Sequence, residues 1–187
     1  MATPKHTPDM EPLDRMTVVL YRTGLSIVAL TTLLYSIERI IGLEILGVFY
    51  LPFFAIGIAL AAADVHLYDP KFRWFIPFMA WIGFMLLSFA YVLKESGSVH
   101  ILETFSLAFF YLAAAMFAVK ESFCFQIKGL NLVPFLLLGS VLCRMFHIAL
   151  LEPYLLVLAA LLLTWLVIEK WRMPLHFDIG DKSRYVL

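Results

Sequence analysis

Six apolar runs of 16 to 22 residues, parted by short charged or turn-forming stretches, constrain this chain more than any other feature: 15–36, 45–63, 74–93, 101–119, 132–150 and 153–168. A helix rises about 1.5 Å per residue, so runs of this length match the ~30 Å apolar thickness of a bilayer. Hydrocarbon offers no partner for backbone N–H and C=O groups, and a helix satisfies its own. The expected fold is therefore all-α, a polytopic membrane protein built as a six-transmembrane-helix bundle over 15–172. A disordered cytoplasmic tail is expected before it (1–14) and a cytoplasmic C-terminal tail after it (173–187). Composition agrees: 63% of residues are hydrophobic and 15% charged, against roughly 25% charged in soluble domains. The formal net charge of +0 leaves no basic field for nucleic acid.

The charges are sorted by side. With six crossings, the tails and the second and fourth connections carry Lys5, Arg15, Lys71, Arg73, Lys120, Lys128, Lys170, Arg172, Lys182 and Arg184, ten cations, whereas the opposite connections carry only Arg39 and Lys94. Such asymmetry in short segments places both termini in the cytoplasm. Cys124 then lies in a reducing compartment and Cys143 inside a run, so no disulfide framework is expected. The polar, proline-bearing start, MATPKHTPDMEPLDR, does not read as a cleavable signal peptide.

Within the runs, Gly57 and Ala61 form a small-xxx-small pair, and Ala113–Ala115 with Ala118 offer a second close-packing face. Arg22 lies near enough to the end of its run to snorkel to the headgroups as an anchor. Pro77 and Glu103 are expected in the first turns of their helices, where a missing N–H and a carboxylate are both tolerated. The last two runs, joined only through Leu151 and Glu152, are expected to make a tight antiparallel hairpin.

Chemistry is best sought in the fifth run, LVPFLLLGSVLCRMFHIAL, which carries Arg144 and His147 where hydrocarbon is expected. Three residues apart on a helix, they would share a face, and ionisable groups at membrane depth face partners more than lipid. The topology sets them in the outer half, level with Glu38, Arg39, Glu44, Glu95, His100, Glu103 and Glu152. Four readings follow. Arg144 pairs with Glu103 or another of these acids as a register-fixing ion pair, the ordinary fate of such charges. Alternatively, Arg144, His147, Glu103, Glu38 and Glu152 line a watered pocket for transport, although no inverted repeat supports it. Third, His100 and His147 hold a b-type haem, for which two histidines alone are thin support. Last, an intramembrane enzyme lacks any nucleophile elbow, HExxH or phosphate loop, so no catalytic residue, metal site or resident cofactor is expected. On the cytoplasmic face, His66, Asp69, Lys71, Arg73, His176 and Asp178 form a candidate contact surface. The Asp64/His66/Asp69 spacing is too loose, and too close to Lys71 and Arg73, for a metal site. The tail is either a docking segment or a cap over the helix ends.

The stretches HLYDPKFRWFIP (His66 to Pro77), KGLNLVP (Lys128 to Pro134) and MPLHFDIGDKSRYVL (Met173 to Leu187) resemble those of a family of uncharacterised bacterial integral membrane proteins grouped as a domain of unknown function. The resemblance covers the whole chain. It implies a small, multi-pass protein of the bacterial inner membrane and supplies no activity or ligand residue. The function expected from the residues is an accessory, assembly or scaffold subunit of a larger membrane complex, its partners the lipid bilayer and a membrane protein or a second copy. A small transporter or channel using the outer polar cluster is the alternative, and a haem b-binding subunit the lesser one.

Overall fold

A computed structural model describes residues 10–43, 45, 47–65, 70–93, 99–125, 127 and 129–179, the side chains of 70–72 and 125 excepted. Among the described residues there are seven α-helices and no strand: α1 (Pro12–Ile41), α2 (Gly47–Ala63), α3 (Pro70–Val92), α4 (Val99–Phe125), α5 (Val133–Met145), α6 (Glu152–Arg172) and the short α7 (His176–Ile179). A 3-10 turn, Leu130–Leu132, leads into α5. Four helical segments are long and apolar enough to cross a membrane: Pro12–Ile41, Arg73–Val92, Val99–Cys124 and Glu152–Arg172. Gly47–Ala63 and Leu130–Met145 are shorter apolar helices.

Capping chemistry, which hydropathy does not register, sets several helix limits. α1 starts at Pro12, not Arg15, because Glu11 and Asp14 form a capping box in which Asp14 accepts the Glu11 backbone N–H at 2.9 Å. Pro12, Leu13 and Asp14, expected in a disordered tail, are thus the first turn of a helix, while residues 1–9 lie outside the described residues. At its other end Gly42 takes a left-handed φ of 75° and returns its N–H to the Glu38 carbonyl. Two placements within helices also differ from expectation. Pro77 lies inside α3, and α4 begins at Val99 with no acid in its first turn, so Glu103 does not cap it.

The largest correction falls on the fifth run. Its helix covers only Val133–Met145, about 20 Å, short of the full bilayer core. Ile148 N–H bonds the Cys143 carbonyl at 2.8 Å and His147 N–H bonds the Arg144 carbonyl at 3.3 Å, with His147 at φ 56°. This is the double bond pattern of a Schellman stop, with histidine in the left-handed position glycine usually fills. His147 has therefore left the helix and does not share the face of Arg144. The α5–α6 connection is residues 146–151, longer than the two-residue hairpin expected.

Helices α1 to α6 pack in chain order, each on the next, and α6 closes the ring against α1, while α2 also touches α4 and α7 lies against α1. The N-terminal part of α1 lies beside the C-terminal ends of α4 and α6, and its C-terminal part lies beside the starts of α2 and α6. The small-residue seam expected on α2 is present and is completed by Gly24 of α1. A Cβ on Gly24 would stand 2.5 Å from the Ala61 backbone nitrogen, and one on Gly57 would stand 2.9 Å from Val28 Cγ2. Ala113, Ala114 and Ala118 are likewise buried. The middle of the bundle is filled by Phe54, Ile58, Phe110, Phe117 and Leu156, all fully buried.

Candidate functional site

Two polar layers close this apolar middle, one at each end. The first contains Arg144, in the last turn of α5, and Glu152, the buried first residue of α6. Arg144 Nη1 stands 3.6 Å from Glu152 Oε1, its Nε donates to Thr104 Oγ1 at 3.3 Å, and Nη1 donates to the Tyr35 hydroxyl at 3.5 Å. All three contacts are longer than the ~2.7–2.9 Å of a strong charge-assisted bond. The Arg144 side chain also remains 30% exposed. From Tyr35 an aromatic run leads inward: its ring stacks on Tyr50 at 4.1 Å between centroids, and the Tyr50 and Tyr111 hydroxyls lie 2.6 Å apart.

Of the residues expected to gather here, the structure joins Arg144 with Glu152 and sets Glu38, buried on α1, at the same end of the bundle. The Arg144–Glu103 pair does not form. Glu103, half-buried, instead faces the exposed His100 of its own helix across 3.6 Å. His147 is exposed beyond the stop of α5. The two histidines weighed as haem ligands are thus both on the outside, His100 with 90% of its side chain exposed.

The second layer is larger and tighter. α1 brings in Tyr21 and Arg22, α4 brings Lys120 and Glu121, and α6 brings Lys170. After α6 the chain turns at Met173–Leu175 and α7 carries Asp178 back over these ends. Arg22 spends four of its five N–H donors on that returning segment. Its Nε and Nη2 donate to Asp178 Oδ2 at 2.7 and 2.5 Å, Nη1 to the Met173 carbonyl at 2.8 Å, and Nη2 also to the Pro174 carbonyl at 3.1 Å. Lys170 Nζ bonds Asp178 Oδ1 and lies 2.8 Å from Glu121 Oε2. Glu121 Oε1 accepts the Tyr21 hydroxyl at 2.5 Å and stands 3.2 Å from Lys120 Nζ. Except for Lys120, 11% exposed, the charged side chains here are at most 1% exposed. Trp171 shields the edge, donating its indole N–H to Ser26 Oγ at 3.0 Å with the Arg22 guanidinium 5.9 Å from its ring.

Two expectations are corrected by this geometry. Arg22 does not snorkel; it points into the bundle because a carboxylate and two carbonyls from the far end of the chain are aimed at it. Asp178 is an internal strut and not part of a surface. His176 is half-buried and stacks on Phe177 at 4.8 Å, and Arg73 is half-buried in α3. His66, Asp69 and the Lys71 side chain lie outside the described residues. The described part of the tail is therefore a cap over the helix ends.

Tyr21, Glu121 and the structural role of Lys170 were not legible beforehand. Hydropathy drops at Lys120, which assigned Glu121 to a loop, whereas α4 runs on to Phe125. The one available signal was Arg22 with Ser26 on a shared face. Neither layer joins a nucleophile to a base, and among the described residues no group of three or more His, Cys, Asp or Glu is placed to hold a metal ion. What the arrangement does chemically is fix helix ends by buried ion pairs, whose contribution lies more in a specified geometry than in net stability.

Set against known proteins, residues 58–187 match the model of a family described as "Uncharacterized integral membrane protein (DUF2301)". An uncharacterized protein of Haemophilus influenzae is 35% identical over 194 aligned residues, which span 99% of this chain and 99% of that protein. No solved structure matches.

Proposed function

The chain belongs to the DUF2301 family of uncharacterized integral membrane proteins, and from that premise we propose that it is a non-catalytic accessory, assembly or scaffold subunit, holding another membrane protein in the bacterial inner membrane. The observation that carries this reading is the apolar seal between the two polar layers. Phe54, Phe110, Phe117 and Leu156 fill that space without exposure. Three hydroxyls between the layers are committed to backbone: Thr32 donates to the Val28 carbonyl, Ser140 to that of Leu137, and Ser106 to that of Gly83, while those of Tyr50 and Tyr111 bond each other. Among the described residues a permeating solute would find few polar groups there, the Thr164 hydroxyl and the Tyr50–Tyr111 pair being exceptions. The outside, in contrast, is rich in aromatic and sulfur surface. On α3, Trp74, Phe78, Trp81, Met85 and Phe89 are all more than half exposed and recur at helical spacing.

In this reading the chain crosses the membrane six times with both termini cytoplasmic. The alternating helix directions support it, as does the gathering of Lys120, Lys170 and Arg172 at the end that α1 enters, the side the charge asymmetry assigns to the cytoplasm. Extraction of N-terminally tagged protein in a mild detergent is expected to recover a membrane protein in fixed stoichiometry. Recovery only as a lone monomer would overturn the proposal.

A second reading, a small transporter or channel, is favoured by one observation: Arg144 is part-exposed and its contacts are long. It requires water to reach Tyr50 and Tyr111. Cysteine placed at Thr32 would then react with a water-soluble thiol reagent, and under the scaffold reading it would not.

A further inference from the structure

α3 packs mainly on α4 and less on α2, and because α2 also touches α4, it stands on the outside of that contact. Its outward stripe, Trp74, Phe78, Trp81, Met85, Ser88 and Val92, advances in alternating steps of four and three. This is the 3.5-residue repeat of two helices wound left-handed about each other. The five larger members are 58 to 79% exposed, against 45 to 56% for the outward apolar residues of α6 between Tyr154 and Trp171. At ~150–250 Å² per aromatic side chain, those exposures leave roughly 700 Å² open. Each partner in a standard stable interface gives ~800 Å².

The chemistry of the stripe points to its occupant. Trp81 sits near the middle of the apolar segment Arg73–Val92. Its ring meets Phe84 of its own helix, and among the described residues nothing accepts its indole N–H. Hydrocarbon cannot accept that hydrogen, whereas a facing chain can. The stripe itself holds a suitable group in Met85, whose thioether is a weak acceptor and packs well on aromatic rings. Ser88, its one small member, gives its hydroxyl to the Phe84 carbonyl at 2.8 Å and so lets two backbones approach without a bare polar group. No acid or base lies between Arg73 and Lys94. A two-fold contact sets a surface against itself, which like charges would oppose. Copies inserted in the same sense meet with α3 parallel, the arrangement that the repeat serves.

We propose that this stripe is the contact of a two-fold dimer, in which α3 of one copy lies parallel to α3 of a second. The pairing does not rest on the accessory-subunit reading; it assigns the α3 face to a second copy and leaves a further protein to other surfaces.

The test counts N-terminally labelled full chains by single-molecule photobleaching in phosphatidylcholine liposomes over a range of protein densities, beside a mild-detergent pull-down of the tagged chain. The wild type is expected to bleach in two steps and to fall to one on dilution. Trp81→Ala combined with Met85→Ala should weaken pairing about tenfold, and Trp165→Ala, on α6, should leave it unchanged. With Cys124→Ser and Cys143→Ser as background, Phe78→Cys should oxidise to a linked dimer and Leu161→Cys should not. A wild type that is monomeric at every density, with lipid alone against α3, would overturn the proposal, a result that needs no variant to fold. So would pairing lost in Trp165→Ala but kept in the double variant, or a foreign protein whose capture is lost with the α3 residues. A pull-down that yields the dimer and no other protein would uphold the pairing while overturning the accessory-subunit reading.

Discussion

Each end of the bundle contains a buried or half-buried arginine, and the two are held very differently. Arg22 makes four bonds of 2.5 to 3.1 Å with a side chain 1% exposed, whereas Arg144 makes three contacts of 3.3 to 3.6 Å and is 30% exposed. Both sit on helices of apolar composition, so the residue type does not decide the outcome. The difference lies in what returns to meet them. A segment following α6 folds back to give Arg22 a carboxylate and two carbonyls, while Arg144 meets only side chains already committed to neighbouring helices. A chain that turns back on its own bundle can fill most of a guanidinium fork, whereas at Arg144 the side chains of neighbouring helices reach it only at long range.

That contrast can be broken by mutation. Arg22→Met leaves the buried Asp178 without its guanidinium and is expected to destabilise by about 3 to 5 kcal/mol, since one partner of a buried ion pair is removed. Reversible unfolding in mixed micelles measures it. A loss below that of Arg144→Met would erase the distinction between the layers. Gly24→Ala gives a yardstick independent of charge. Its Cβ would fall 2.5 Å from the Ala61 backbone nitrogen, so α1 and α2 must separate, at about 1 to 3 kcal/mol for an overpacked contact. Arg144→Met is expected to change stability least, by no more than about 1 kcal/mol, because its pair is long and part-exposed. If thermal melts rank Arg144→Met above Gly24→Ala, water is not relieving that guanidinium and the layer is tighter than its distances imply.

The helical class of the fold and the small-residue seam were legible in the sequence, because both follow from composition and spacing that act locally. Gly57 and Ala61 pack as their spacing implies, although no local pattern marks Gly24 as the residue that faces them. Helix limits were less legible wherever a backbone cap and not polarity ends a helix. RMFHIAL has no glycine, proline or other turn-forming residue to announce that α5 stops at Met145, yet His147 closes it with a left-handed residue. Ion-pair partners were hardest to see, since they are settled by chain return. Arg22 and Asp178 are 156 residues apart, and no local pattern links them. Arg144 stands out in the sequence as an unusual charge, but its acid is Glu152 and not Glu103, which faces His100 on its own helix.

A segment after α6 that is a fixed part of the bundle, locked by Arg22, leaves its mark in hydrogen exchange. In membrane-reconstituted protein, the Phe177 and Asp178 amides, which donate to the Pro174 and Leu175 carbonyls, should be protected in the wild type and in Arg144→Met. They should exchange freely in an Arg22→Gln variant that retains its helices. Exchange at the rate of an unstructured tail in the wild type itself would contradict the account.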